Sequence, residues 1–338
     1  MRYRALGRSG LEVSMLCLGT MTFGATTTAA DAQTIMAHAR DQGVNFIDTA
    51  DGYSKGLSEE IIADELLAHR SHWILATKVF TPMSDDPNQR GLSKRWLVQG
   101  CEASLRRLKT DCIDVYYLHK EDRRTPLEET VAGLAQLIRH GKIRYIGVSN
   151  FRAWRMAELV RLCDAAGIDR PIVCQPYYNA MNRQPEVEVL PAAAHYGMGV
   201  VPYSPLARGV LTAKYRPDAD PEGDSRAGRQ DRRMLETEWR RESLAIAQRI
   251  ADYCLEKGTT PVAFALQWLW ANGIVTAAIA GPRTMQQWEA YLAALDAPYG
   301  PDEEALLDGL VPVGHPSTPG YSDPSYPIEG RKVQFGAG

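Results

Sequence analysis

The sequence predicts an α/β fold, a (β/α)8 TIM barrel, and three observations predict it. Eight short apolar runs alternate with amphipathic, helix-period segments along the 338 residues. Polar, titratable residues recur just past the carboxyl ends of successive runs, where a parallel barrel keeps its chemistry. Neither Gly-x-Gly-x-x-Gly nor a Walker-type loop occurs, although an open doubly wound sheet binding a nucleotide usually carries one.

Taken in order, residues 3–6 and 11–14 read as a hairpin around the turn Gly7-Arg8-Ser9-Gly10. The strand candidates that follow are 15–19, 44–48, 74–78, 113–119, 143–149, 172–175, 199–203 and 275–280. Helical candidates between them include 28–42, 58–69, 93–108, 127–139 and 152–166, with 241–257 and 261–270 before the last strand. Glycines at 43, 141, 167 and 258 stand where helices stop, because a left-handed residue there satisfies the last free carbonyls. Ser93 starts one helix, and Thr260 with Pro261 starts another in the favoured N-cap and first-turn arrangement. Two stretches break the repeat. Residues 216–233, rich in Asp, Arg, Gly and Pro, are expected to form a solvated excursion that adds nothing to a core. The tail from residue 314 to 338 lacks periodicity, and is expected either to fold near the barrel mouth or to be poorly ordered. The whole of 1–338 is expected to be a single domain.

The composition excludes several classes. A hydrophobic fraction of 45% with 23% charged residues is ordinary for a globular chain. A net charge of -3 gives no electrostatic reason to expect nucleic acid or an anionic membrane as partner. No apolar stretch approaches the roughly 20 residues needed to cross a bilayer, and the first residues make a poor secretion signal. The six cysteines form no Cys-x-x-Cys pair, which argues against a disulfide framework and a zinc site. A reduced, cytoplasmic protein without a structural metal is expected, acting on a small molecule; the sequence does not set the oligomeric state.

The candidate chemistry gathers at Asp48, Tyr53, Lys78 and His119. Asp48 closes one strand run and Tyr53 follows it; Lys78 and His119 close the next two. A phenol beside an ammonium, itself beside a carboxylate, is a way to make tyrosine a usable proton donor near neutral pH. Taken singly, Asp48 and Lys78 read equally well as a structural ion pair, Tyr53 as a surface aromatic and His119 as a strand cap. Strand-end placement of all four favours a catalytic group.

The chain resembles the aldo-keto reductases. The segments that carry the resemblance are Leu18-Gly19-Thr20-Met21-Thr22-Phe23-Gly24, Phe46-Ile47-Asp48-Thr49-Ala50-Asp51-Gly52-Tyr53, Ala76-Thr77-Lys78 and Tyr117-Leu118-His119. They continue through 141–151, which ends in Ser149-Asn150-Phe151, then Gln175-Pro176-Tyr177-Tyr178-Asn179, Tyr203-Ser204-Pro205-Leu206 and Gly281-Pro282-Arg283-Thr284. No one piece is decisive, but eight in order at barrel spacing are highly specific. The opening hairpin matches the one that plugs the amino-terminal end of the barrel in that family.

The resemblance implies reduction of an aldehyde or ketone by hydride from NADPH. Tyr53 would donate the proton, Lys78 would lower a phenol pKa of about 10, Asp48 would hold Lys78 charged, and His119 would align the substrate oxygen. Gly19, Thr20 and Met21 fall in its cofactor-binding pattern, and Ser149, Asn150 and Gln175 map onto the nicotinamide carboxamide. Asn150 also reads as the cap of the helix that follows. Tyr203 would stack on the nicotinamide. Ser204, Leu206, Gly209 and Lys214 resemble the pyrophosphate clasp, although Ala213 stands where a glycine is usual. Arg283, in the helix-opening Gly281 to Thr284 segment, suits the 2′-phosphate, and Gln287 the adenine side. Ala290 and Tyr291 replace the common glutamate and asparagine, which weakens the case for strict NADPH preference. Phe23 and Phe80, with Trp154 and the tail residues Tyr321 and Tyr326, are candidates for an apolar substrate mouth. Two rivals stay open: a cofactor-binding regulatory subunit like the potassium-channel β subunit, with little turnover, and a Schiff-base aldolase with Lys78 as nucleophile.

Overall fold

The computed structural model describes residues 1–221, 223 and 225–317. A two-stranded antiparallel hairpin, β1 (Tyr3–Ala5) and β2 (Glu12–Ser14), opens the chain. The parallel strands follow: β3 (Leu16–Gly19), β4 (Phe46–Asp48), β5 (Ile74–Val79), β6 (Ile113–Leu118), β7 (Ile143–Ser149), β8 (Val173–Gln175), β9 (Gly199–Val200) and β10 (Ala278–Ala280). From β3 to β9 each pairs with the next in chain order, and β10 returns to pair with β3. The 275–280 segment also reaches β9: Thr276 donates to the Val200 carbonyl at 2.8 Å and Ile279 to that of Pro202 at 3.0 Å. These bonds close the circuit that the strand count predicts. The strand run expected over 199–203 is shortened because Pro202 has no amide hydrogen to give the ladder.

The helices α1 (Ala29–Asp41), α2 (Leu57–His69), α3 (Lys94–Arg107), α4 (Leu127–Arg139), α5 (Ala153–Ala166) and α6 (Val189–His195) cover the strands from outside. They are completed by α7 (Arg232–Thr237), α8 (Arg241–Glu256), α9 (Pro261–Ala271), α10 (Met285–Ala293) and α11 (Pro301–Leu310). Thr28, Ser93, Thr260 and Thr284 cap α1, α3, α9 and α10 by accepting an amide hydrogen of the first turn. Gly43, Gly141, Gly167 and Gly258 all sit at positive φ, between 64° and 81°, as expected of helix stops. Asn150 does not cap α5, since Arg152 holds the N-cap position there.

Two cores follow from the two-residue period of a strand. Cys17, Phe46, Ala76, Val115, Tyr117, Val173, Val201 and Ile279 point into the barrel and pack as one cluster. Their neighbours Leu16, Leu18, Ile47, Leu75, Tyr116, Leu118 and Cys174 point outward against the helices. Full burial of each such side chain contributes about 1.5–3 kcal/mol. Leu6 and Val13 of the hairpin join the inner cluster, and Arg8 donates to the Gly197 carbonyl at 2.8 Å. At Gly7, with φ of 58°, an added Cβ would lie 2.2 Å from the Ile172 carbonyl oxygen. The hairpin therefore stoppers the amino-terminal end of the barrel, and only glycine fits its tip.

The 216–233 excursion departs from expectation. Within it Ser225 and Ala227 are buried, and Ala227 packs with the main core, so the segment is a strap laid against the barrel. Its polar composition gives no apolar period, because few of its side chains face inward. At the start of the tail, Ser317 donates to the Met181 carbonyl at 2.7 Å and Pro316 pairs with Asn182, on the loop that leaves β8. This places residues 315–317 at the carboxyl end of the barrel. Tyr321, Tyr326 and the rest of the tail lie outside the described residues.

Candidate active site

The period that fills the barrel also builds its mouth. Two residues beyond inward-facing Phe46, Ala76, Tyr117, Val173 and Val201 stand Asp48, Lys78, His119, Gln175 and Tyr203. Polar groups thus form the next layer of the same stack, in an end of the barrel that side chains do not fill. A cavity of about 480 Å³ opens there.

At its floor, Lys78 is fully buried. Its ammonium donates to Asp48 Oδ1 at 2.5 Å, to the Thr49 carbonyl at 2.8 Å and to the Tyr53 hydroxyl at 3.0 Å. Gln175 Nε2 donates to the other Asp48 oxygen at 2.9 Å, so the carboxylate is held from both sides. The Tyr53 and His119 rings meet edge to face with centroids 6.0 Å apart. Burial opposes the charge on Lys78, but the Asp48 carboxylate and the Tyr53 oxygen hold its pKa above the ordinary lysine value. Burial lowers His119 to about 3, helped by the Lys78 and Lys120 charges, so its imidazole is neutral near pH 7. The net direction for Tyr53 corrects a simple expectation. Burial raises its pKa and outweighs the lowering by the Lys78 charge and hydrogen bond, with Asp48 adding to the rise.

One wall is a polar relay. Asn150, at φ of 57°, donates to the His119 carbonyl and to Ser149 Oγ, each at 3.0 Å, and accepts from the Tyr203 hydroxyl at 2.8 Å. Ser149 in turn donates to the Gln175 carbonyl at 2.8 Å. Across the cavity, Gly281, Arg283 and Gln287 open α10, and Gln287 Oε1 accepts from the Arg283 amide at 2.9 Å. Gly19, Thr20, Met21, Ser204, Leu206, Gly209 and Lys214 also line it, as do Ala290 and Tyr291. Five expected site residues do not line it, among them Trp154, which is exposed on the surface. Lys78 acts from beneath, through Tyr53; Thr284 spends its hydroxyl as the α10 cap. Phe23 is buried in the hydrophobic core, and Phe80 instead lies under the Lys120 ammonium, 4.7 Å from its ring centre.

Sequence reading missed Arg208, Arg226, Asp231 and Arg233, which line the cavity. The Arg208 side chain is 8% exposed, lies 3.7 Å from Glu238, and leaves its Nε without a hydrogen-bond partner. Arg226 comes from the strap and sits 3.8 Å from Asp231. Burial lowers its pKa, and Arg208 adds repulsion. Arg208, Arg226 and Lys214 thus line one cavity, and planar guanidiniums beside an ammonium are chemistry suited to an anion with several oxygens. The number of arginines between 226 and 233 is the one signal in the sequence that points to it.

With this geometry in view, comparison with known proteins is specific. A family model for the aldo/keto reductase family matches residues 15–312. An uncharacterized oxidoreductase of Bacillus subtilis, YrpG, is 37% identical over 331 residues, covering 94% of this chain and 98% of its own. A probable voltage-gated potassium channel subunit beta of Arabidopsis thaliana is 37% identical over 307 residues, 88% of this chain and 92% of that one. L-glyceraldehyde 3-phosphate reductase of Escherichia coli O157:H7 is 30% identical over 329 residues, 93% of each. Both the fold and these matches lead to one statement: the chain belongs to the aldo/keto reductase family.

Proposed function

We propose that the protein reduces an aldehyde or ketone to the alcohol with NADPH, using Tyr53 as proton donor. The observation that carries the reading is the buried Lys78 ammonium touching both the Asp48 carboxylate and the Tyr53 hydroxyl at the cavity floor. When bound, NADPH supplies the hydride. The Tyr53 hydroxyl gives its proton to the substrate oxygen as charge develops there, and Lys78 takes up the resulting phenolate charge at short range. Asp48, fixed by Gln175, keeps Lys78 charged and aimed. Neutral His119 donates a hydrogen bond to the same oxygen without bringing a second positive charge. The Ser149–Asn150–Tyr203 relay forms the platform for the nicotinamide end. Lys214, Arg208, Arg226 and Arg283 would hold the phosphates, with Ser204, Leu206 and Gly209 shaping the turn around them.

The aldolase alternative loses support, since a Schiff base needs a neutral amine and Lys78 is held as an ammonium by three oxygens. A regulatory role like that of a channel β subunit keeps one supporting observation, the likeness to plant and yeast proteins so named. Turnover decides between the two. NADPH oxidation with a panel of aromatic, aliphatic and sugar aldehydes is expected to be steady, and Tyr53→Phe is expected to cut it by at least ~10²-fold while leaving NADPH binding nearly unchanged. Tight NADPH binding with negligible turnover on every carbonyl would favour the regulatory role. The six unpaired cysteines support a reducing, cytoplasmic setting. Among the described residues no helix is long and apolar enough to cross a membrane.

A further inference from the structure

Helix α7 carries a carboxylate at each end, and each faces one arginine of the main cavity. Asp231 is the N-cap: its Oδ1 accepts from the Met234 amide at 2.9 Å, and its Oδ2 lies 3.8 Å from Arg226 Nη1. Glu238 is the C-cap, 4% exposed, with Oε1 3.7 Å from Arg208 Nε. Neither pair is a hydrogen bond at that separation, and Arg208 Nε is buried without a hydrogen-bond partner. The Tyr177 hydroxyl donates to the same Glu238 Oε1, while the Tyr177 ring lies against that of Tyr203 with centroids 5.5 Å apart.

We infer that Asp231 and Glu238 are resident counter-ions for Arg226 and Arg208: they balance the empty site and hold down its affinity for the cofactor phosphates, so that spent cofactor can leave. The inference rests on the reading of this cavity as the NADPH site.

The Arg208 and Arg226 side chains are largely withdrawn from water, at 8% and 22% exposed. A cation in such a place is costly without negative charge nearby, and the Arg208 charge acts against that of Arg226. With no anion bound, the two carboxylates supply the balance. A close bidentate pair would spend the guanidinium donors on the protein's own carboxylates. At 3.7 and 3.8 Å the groups attract each other yet leave donor capacity for an incoming anion. Phosphate oxygens arriving at the same arginines would then be repelled by the carboxylates over a short distance that water screens only in part. Each carboxylate has a second hold that keeps it in place, the α7 amide for Asp231 and the Tyr177 hydroxyl for Glu238. Groups that stabilise the empty site more than the filled one lower its affinity by linkage.

The test uses two shape-preserving variants of the full chain. Glu238→Gln keeps an acceptor for Tyr177, and Asp231→Asn keeps a good N-cap, so each removes only a charge. NADPH and adenosine 2′,5′-bisphosphate, which carries phosphates without the nicotinamide, are titrated by calorimetry, and thermal unfolding of the ligand-free protein is followed in parallel. Each variant is expected to bind both ligands roughly three- to tenfold more tightly. Each is also expected to release NADP+ more slowly in stopped flow, and yet to unfold at a lower temperature when empty. Those opposite signs separate a counter-ion from a purely structural pair, whose loss would lower stability and affinity together. Weaker or unchanged binding in Glu238→Gln overturns the inference and leaves the cofactor reading standing. A wild type that binds neither ligand overturns both.

Discussion

Lys78 is the residue on which the site turns, and its burial makes a stability prediction separable from catalysis. A buried charge is tolerable only while its partner remains. Lys78→Met leaves the buried Asp48 carboxyl without its cation, with one oxygen still bound to Gln175, and is expected to cost about 3–5 kcal/mol in denaturant unfolding. Adding Asp48→Asn is expected to recover much of that loss without restoring turnover. If the double variant is as unstable as the single one, the two groups do not act as a pair. At this scale the sequence was informative where chemistry dictates residue type: Asp48, Tyr53, Lys78 and His119 converge as their strand-end positions required. It was uninformative where a shift depends on depth. The upward pull of burial on Tyr53 cannot be read from neighbours in a string, since the string does not say how far water is excluded. Arg226 is a second case. Expected to lie in solvent, it faces Arg208 inside the cavity instead, and Arg226→Ala is expected to weaken NADPH binding by about 1.5–3 kcal/mol in a titration. An unchanged affinity would show that the strap arginine holds no phosphate.

Among the elements, strands and helices were legible because their periods are forced by geometry, whereas the loops that shape the cavity obey no period. The turn before Lys214 shows the cost. Ala213 adopts φ of 58°, and Ala207 and Arg208 are also left-handed at 46° and 52°. A side chain in that region is strained by roughly 1–2 kcal/mol, strain of a kind that persists near functional sites when surrounding packing imposes it. The glycine that the family resemblance led one to expect at 213 would avoid it. Ala213→Gly is therefore expected to stabilise the protein by about 0.5–1 kcal/mol, after the extra unfolded-state freedom of glycine is subtracted. A loss of stability in denaturant unfolding would mean that the Ala213 methyl packs usefully and the strain argument fails. The strap was misjudged for a related reason: a segment that sends only Ser225, Ala227 and a few arginines inward carries no amphipathic signature.

In the molecule as a whole, two buried titratable groups pull stability in opposite directions with pH. His119 has a pKa near 3 when folded against an ordinary 6.5. The unfolded chain binds the extra proton between those values, so this contribution is complete above 6.5 and is lost as pH falls toward 3. Asp51 is the reverse, with a folded pKa of about 8 against an ordinary 3.8. The folded chain binds the extra proton, so its contribution is complete below 3.8 and is lost as pH rises toward 8. Between 3.8 and 6.5 the two slopes oppose and largely cancel. Between 6.5 and 8 only Asp51 still changes, and stability is expected to fall by about 1–2 kcal/mol across that interval. Asp51→Asn removes the titrating group while keeping its shape, so the difference between wild type and variant should grow steadily from pH 6.5 to 8 and level off above. Urea unfolding at a series of pH values measures that difference directly. A constant gap across the interval would mean that the carboxyl is already ionised in the folded protein, and that Glu59 and burial do not hold its proton.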